Sequence, residues 1–418
     1  MKIIIYCLNF APEIVGTGKY NSELVNFLHN KGHKVNVITS PKYYPDWKIK
    51  NNKYELDKNF NFKVYRCPIY VPKKPTGIKR ILHLISFSIT SFPILIIQLF
   101  WKPDSVILIA PTILCFTNIF IFKLFSKKNL FTLLHIQDFE IDAAFNLKIL
   151  SFPLLKNILI KIESYIFKNF KHVSTISHGM IKKLISKGIQ KSKIYHFPNW
   201  VDVNKIRKSK LIYKKKNYYR NKLKINDETI IIQYSGTLNK KTGIYFLLPI
   251  IKFFEKEKNL LWLFSCEGPL KKQFVQLTKN IPNIIFIPLQ EEEKFNELLN
   301  AADISIIPQK ENTEDLFLPS KLISILASGT PVVANVKTNS DLGKLVNEAG
   351  IRVDPNDQAG FINAISNLKD NQQLRIRLGK KGRIIAEKMF NKNIVLNNFN
   401  DFIENYFNQN ICEKDFSN

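Results

Sequence analysis

The sequence predicts an α/β protein made of two doubly wound, Rossmann-like parallel sheets, and three observations carry that reading. Short β-branched and apolar runs alternate with helix-like segments from the first residues onward. A lysine-rich stretch over residues 205–226 separates two such alternating series. A chain of 418 residues is also too long for one ordinary core and suits two domains of about 200 residues each.

In chain order, residues 3–8 form a first strand, 20–30 a helix and 35–39 a second strand ahead of a Pro/Tyr loop. Further strands are expected at 62–66, 105–109, 130–135 and 173–176, with helical segments between most of them. The second series places strands at 229–234, 260–265, 284–287, 304–307 and 331–334. Helical patterns over 357–368 and 373–407 and a polar tail end the chain. No repeat of fixed period is present.

The formal charge is +28, from 62 Lys and Arg against 34 Asp and Glu, which invites an anionic partner. Lys, Asn and Ile are abundant everywhere, so part of the excess reflects composition alone. Between residues 205 and 226, Lys208, Lys210, Lys214, Lys215, Lys216, Arg220, Lys222 and Lys224 crowd together with three tyrosines. This reads as an exposed interdomain stretch, either touching lipid head groups or simply solvated. Cys7, Cys67, Cys115, Cys266 and Cys412 are scattered without a C-x-x-C pair, as expected of buried thiols in a reducing compartment. The first residues read as a strand rather than a signal peptide, so a cytoplasmic location is expected.

Residues 81–101 contain no charged side chain apart from His83, and Lys79, Arg80 and Lys102 flank them. That length can span a bilayer, but several Ser and Thr, Pro93 and Gln98 dilute it. A span here would also interrupt a parallel sheet. The favoured reading is a domain helix whose apolar face rests in a membrane surface; a plain core helix and a spanning helix are the alternatives.

Several loops at strand ends suit an anion. Gly16 and Gly18 permit a tight turn before a helix, but a G-x-G-x-x-G fingerprint is missing and a dinucleotide cofactor is not expected. Tyr234-Ser-Gly-Thr-Leu-Asn-Lys-Lys-Thr-Gly243 offers Gly236, Thr237 and two lysines, Lys240 and Lys241, within reach of a phosphate. Glu267 and Gly268 open another helix after another strand. From Asp315 to Ala334 the chain reads as loop, helix and strand, with Pro319 at the first helical position, Lys321 in the first turn and Gly329 at the end. Free N–H groups, helix dipole and lysine would converge there on a pyrophosphate. Strand-end loops of an open parallel sheet face one crevice. In the first half, His135-Ile-Gln-Asp138 closes a strand; Asp138 can orient an acceptor hydroxyl or take its proton, or cap a helix. His135 reads as buried or as a substitute base, and His178 as a minor candidate beside a Ser177 cap. Glu140 and Asp142 resemble a metal-binding pair only superficially.

These loops resemble those of glycosyltransferase family 4, which has the GT-B fold. The likeness rests on residues 9–20, Tyr43-Tyr-Pro-Asp-Trp47, Gln137-Asp-Phe-Glu-Ile-Asp-Ala143, Phe197-Pro-Asn-Trp-Val-Asp202, and Pro319-Ser-Lys-Leu322 with Ala327-Ser-Gly329. It implies an acceptor domain over 1–203, a nucleotide-sugar domain over 204–382, and a segment 383–418 returning to the first domain. Chemistry in the cleft would retain the anomeric configuration, and domain closure would exclude water. Lys241 matches the family's phosphate lysine, and Ser320 to Ser324, with Leu322, its diphosphate and ribose loop. Gln137 stands where the family often has a histidine. Ser324 replaces the second glutamate of the family's paired-glutamate motif. The resemblance implies no metal and no cofactor beyond the nucleotide-sugar substrate. The expected enzyme builds surface polysaccharide on a lipid-linked saccharide, at the inner face of the cell membrane. Two rivals are a non-catalytic basic protein for membranes or nucleic acid, and a nucleotide-sugar epimerase or dehydrogenase. The first leaves the glycine turns unexplained and has no aromatic RNA platform, so no nucleic-acid partner is expected; the second needs the missing dinucleotide fingerprint.

Overall fold

A computed structural model describes residues 1–13, 16–44, 46–73, 77–111, 113–126, 130–139, 153–208, 217–239, 242–310 and 318–415. The chain forms two compact units, residues 1–198 with 396–418, and residues 199–395. The first crossing therefore precedes residue 203, and the return lies inside the last helix rather than at residue 383.

The first unit is built on an eight-stranded sheet of Lys2–Cys7 (β1), Lys34–Thr39 (β2), Glu55–Asp57 (β3), Lys63–Arg66 (β4), Ser105–Ile109 (β5), Phe131–Ile136 (β6), His172–Thr175 (β7) and Ile194–His196 (β8). Their spatial order is β3-β4-β2-β1-β5-β6-β7-β8, and only the β3/β4 pair is antiparallel. Ile3, Ile4 and Ile5 are all buried, the pattern of a central strand covered on both faces. The final helix, Lys392–Asp415, docks through aromatic rings: Phe399 stacks on Phe197 at 4.1 Å, Phe402 on Tyr195 at 4.0 Å, and Tyr406 meets Phe131 at 4.6 Å.

The helix Gly77–Trp101 is polar inside to an unusual degree and apolar outside. Its inward face carries His83, Ser88, Ser91 and Gln98 beside Phe87 and Leu95, all buried. Ser91 bonds the Tyr6 hydroxyl, Asn118 donates to Tyr6 Oη at 2.9 Å and to the Ser88 carbonyl at 2.7 Å, and Asn36 donates to Gln98 Oε1 at 2.6 Å. The outward face exposes Ile78, Ile81, Leu82, Ile85, Ile89, Ile97 and Phe100. By length and composition the helix could cross a membrane, but its polar residues bond to β1, β2 and the loop after β4. An ordinary core helix would turn the isoleucines inward.

The second unit holds Ile230–Thr237 (β9), Leu260–Glu267 (β10), Ile284–Ile287 (β11), Ile304–Ile307 (β12), Val332–Asn335 (β13) and Gly350–Val353 (β14). These strands are all parallel, in the order β11-β10-β9-β12-β13-β14. Tyr234, Trp262, Phe264 and Phe274 lie in its main core.

The lysine-rich stretch is not wholly exposed. Residues 209–216 lie outside the described residues, but Asn217 caps the short helix Tyr218–Lys222, and Tyr219 and Arg220 are buried. Arg220 donates to Asp303 Oδ2 at 2.6 Å and to the carbonyls of Ala301, Asn226 and Thr229. Asp303 also accepts the Ile231 N–H at 3.0 Å, so this pair ties the segment to the start of β9. Lys208 reaches the Gly329 carbonyl at 3.0 Å. Removing one partner from a buried, hydrogen-bonded ion pair leaves the other uncompensated, at a cost of about 3–5 kcal/mol. Arg220→Ala should therefore lower the urea midpoint of the second unit markedly, and an unchanged midpoint would show the pair to be dispensable.

Candidate functional site

In the second sheet the strand order reverses between β9 and β12, and the carboxyl ends of strands at such a switch point are where open parallel sheets bind ligands. Three contacts fasten those ends. Gly243, at φ 57°, packs so closely that a Cβ would stand 2.7 Å from the Gln309 backbone. Gln309 then exchanges two bonds with Asn335, through its N–H at 3.0 Å and its carbonyl at 3.1 Å.

Just before β13 stands the helix Ser320–Ser328, with Gly329 in the left-handed conformation at its end, φ 68°. Pro319 is the cap, at ψ 117°, one place before the first helical position expected for it. Lys321 turns from the first turn onto Tyr234, its Nζ 4.0 Å from the ring centroid. Gly236, at φ 138°, lies alongside, its Cβ position 3.8 Å from that ammonium. Burial pushes the Lys321 ammonium down to about 7, and the ring supplies only part of what water would. The second unit thus holds a cation poised near neutrality beside a helix amino end.

Several expected residues take other parts. Gly268 is required by protein packing, because a Cβ would stand 2.6 Å from the Leu238 carbonyl oxygen. Glu267 pairs with Lys271 at 2.7 Å on the surface. The Leu322 side chain is wholly in the core and its N–H serves the Pro319 carbonyl, which corrects its assignment to the ligand. Thr237 and Ser320 are exposed and Ser324 half-buried. Lys240, Lys241, Glu140 and Asp142 lie outside the described residues.

In the first sheet the order reverses between β1 and β5. The loop after β1 is organised by Glu13, a buried carboxylate missed by sequence reasoning. Its Oε1 accepts the N–H groups of Tyr43 at 3.1 Å and Tyr44 at 3.0 Å, and its Oε2 accepts from Asn9 at 2.7 Å. Burial holds its pKa above the usual carboxylate range. Gly18 is explained by this group, since a Cβ there would meet Glu13 Cβ at 3.0 Å; Gly16, at φ 64°, starts the helix Thr17–Asn30. The two glycines therefore belong to the first unit, whereas Lys321 belongs to the second.

At the end of β6, His135 is buried, and burial pushes it down to about 3. One ring nitrogen bonds Ser174 Oγ at 2.9 Å and the other Gln137 Nε2 at 2.8 Å. With both nitrogens engaged, His135 orients Gln137 and is not presented as a base. Asp138 is exposed beside buried Phe139, over whose ring lie the ammonium groups of Lys183 and Lys187 at 5.2 and 5.6 Å. The carboxylate therefore rides on an anchored loop. Ser177 caps the helix His178–Ser186, and His178 stands 4.4 Å from the His196 ring. Tyr234 was missed as a site residue because nothing in a strand's own sequence shows which distant lysine will cover it.

Residues 14–205 match the family described as Glycosyltransferase Family 4, and residues 229–371 that described as Glycosyl transferases group 1. An Escherichia coli (strain K12) protein, WcaI, assigned by its name to colanic acid biosynthesis as a glycosyl transferase, is 34% identical over 82% of this chain and 86% of its own. Sucrose-phosphate synthase from Thermosynechococcus elongatus superposes with a TM-score of 0.75 at 15% identity, covering 98% of this chain and 99% of that one. Anabaena HepE in complex with UDP and glucose gives 0.67 at 12% identity, over 97% and 100%. WaaG, a glycosyltransferase of lipopolysaccharide biosynthesis, gives 0.63 at 13%, over 92% and 95%. At these identities the structural likeness is one of fold, which is GT-B.

Because burial pushes Lys321 down to about 7, a diphosphate bound beside it should raise that value and be taken up with a proton above pH 7. Affinity for UDP should then fall as pH rises from about 7, by up to about tenfold per unit. Calorimetry in buffers of different ionisation enthalpy checks this; Lys321→Gln should abolish the proton uptake, and an unaltered uptake would remove Lys321 from the anion site.

Proposed function

The chain belongs to glycosyltransferase family 4, and from that premise we propose that it moves a hexosyl group from a nucleotide diphosphate-sugar to a lipid-linked saccharide, with retained configuration and without a metal, in surface polysaccharide assembly. The observation that carries the donor half is Lys321, held 4.0 Å over Tyr234 at the carboxyl edge of the second sheet. A diphosphate leaving group gathers negative charge as the glycosidic bond breaks, and a preorganised cation beside helix N–H groups stabilises that charge more than it stabilises the intact donor. Lys241 and Lys240, in the loop after β9, would add to it. UDP is bound by a protein of the same fold, which makes a uridine donor the first to try.

The acceptor belongs to the first unit in this reading. Asp138, exposed on its anchored loop, orients the incoming hydroxyl or takes its proton, while Gln137, fixed by His135, binds a neighbouring group. The helix Gly77–Trp101 supports a lipid-borne acceptor, because an outward row of Ile and Phe is stable against an acyl boundary and costly against water. Exposed Lys73, Lys79 and Arg80 near one end and Lys102 at the other suit anionic head groups. The enzyme would thus work on the cytoplasmic membrane face as a peripheral protein.

Asp138→Asn should lower transfer by about a hundredfold or more while UDP affinity stays nearly constant, since the carboxylate serves only the acceptor; equal loss of nucleotide binding would place it in the donor site instead. Ile85→Glu with Ile89→Glu should leave the melting temperature unchanged and shift the enzyme from the membrane pellet to the soluble fraction. Full retention in the pellet by that variant would refute interfacial docking of this face.

A further inference from the structure

Two unfavourable features meet beside the Gly16 loop, on the inward side of the helix whose outward face is assigned to the membrane above. His83 is 1% exposed, and its Nδ1 lies 2.5 Å from the Tyr70 carbonyl, which can only accept. The proton is therefore on Nδ1, and the lone pair on Nε2 is buried with no partner among the described residues. Trp47 covers the same ring at 5.3 Å between centroids, and its backbone is in the left-handed region, φ 52°. Tyr43 completes the group edge-on, 4.8 Å from His83 and 5.4 Å from Trp47. A bulky residue in that conformation and an orphaned buried acceptor are each destabilising, and such features persist where a ligand relieves them.

The surroundings say what the ligand is. Aromatic rings around one polar acceptor suit the apolar face and the hydroxyl of a sugar ring. Arg80 is exposed, and its charge is felt by Tyr43, Tyr44 and His83, so an anionic group has a partner next to the rings. The Glu13 carboxylate fixes Tyr43 and Tyr44 from beneath through their N–H groups.

We propose that Tyr43, Trp47 and His83 form the recognition subsite for a diphosphate-linked acceptor saccharide, in which a sugar hydroxyl displaces Trp47 and donates to His83 Nε2 while Arg80 holds the diphosphate. This assignment rests on the acceptor being bound by the first unit. His83 is a positioning group here and takes no part in bond making.

The test uses the full chain and a soluble short-chain prenyl diphosphate disaccharide as probe. Binding should change the tryptophan fluorescence of the wild type, and Trp47→Phe should remove most of that change. His83→Asn keeps a donor for the Tyr70 carbonyl but withdraws the acceptor; His83→Gln places an amide oxygen near the lost Nε2. His83→Asn should weaken probe binding and raise the acceptor KM at least tenfold, with UDP affinity and melting temperature unchanged, and His83→Gln should recover most of the loss. Arg80→Ala should weaken the probe more than the same disaccharide without its diphosphate. Wild-type probe affinity in His83→Asn, or equal loss of UDP and probe binding in both His83 variants, would overturn the subsite. Probe binding that depends on His83 but is never followed by sugar transfer would uphold the subsite and defeat the proposed reaction instead.

Discussion

Parallel pairing is the constraint on which the rest of this molecule depends. When neighbouring strands run the same way, every strand must be followed by a crossover, and every loop after a strand emerges at the same edge. Gly236, Gln309 and Asn335 come from separate stretches of sequence, yet all stand at the carboxyl edge of one sheet, and Lys321 leans over the same edge from the helix before β13. Asn9, Tyr43 and Asp138 follow three strands of the other sheet in the same way. The fold gathers chemistry without any long-range signal in the sequence.

Polar groups placed against the expected order of burial stand out in both units. Glu13, His83 and Lys321 each lose hydration on folding, and each is shifted toward its neutral form by that loss. Glu13 recovers part of the cost through three donors, which makes it a clamp between two loops. Among the described residues, Lys321 is met by the aromatic face of Tyr234. The contrast separates a carboxylate that fastens loops from an ammonium whose lost hydration is replaced mainly by a ring.

Much of this was legible beforehand. Central strands such as β1 and β5 announce themselves because burial on both faces demands unbroken β-branched runs. The missed strands lack that demand: Glu55–Asp57 is largely exposed, Ile194–His196 is half-buried and only three residues long, and Gly350–Val353 opens on glycine. The helix 320–328 and its Gly329 stop could be read from local rules, whereas the inward side of Leu322 depends on packing that no single segment encodes. Arg220 was hidden in a lysine run, where nothing local distinguishes the one guanidinium that meets Asp303. The apolar run near residue 90 was visible, but its polar inward face emerged only when Ser88, Ser91 and Gln98 met Asn118, Tyr6 and Asn36.

The last helix begins in one unit and ends in the other, which makes residues 199–395 an insertion within a fold that is completed only by residues from 396 onward. During synthesis, Phe131, Tyr195 and Phe197 leave the ribosome long before Phe399, Phe402 and Tyr406 arrive to cover them. The inserted unit has all of its strands by then, whereas the first unit carries an open aromatic face until those residues emerge. A nascent chain stalled before residue 396 would therefore present a finished second unit and a sticky first one, the pairing of states that chaperones bind.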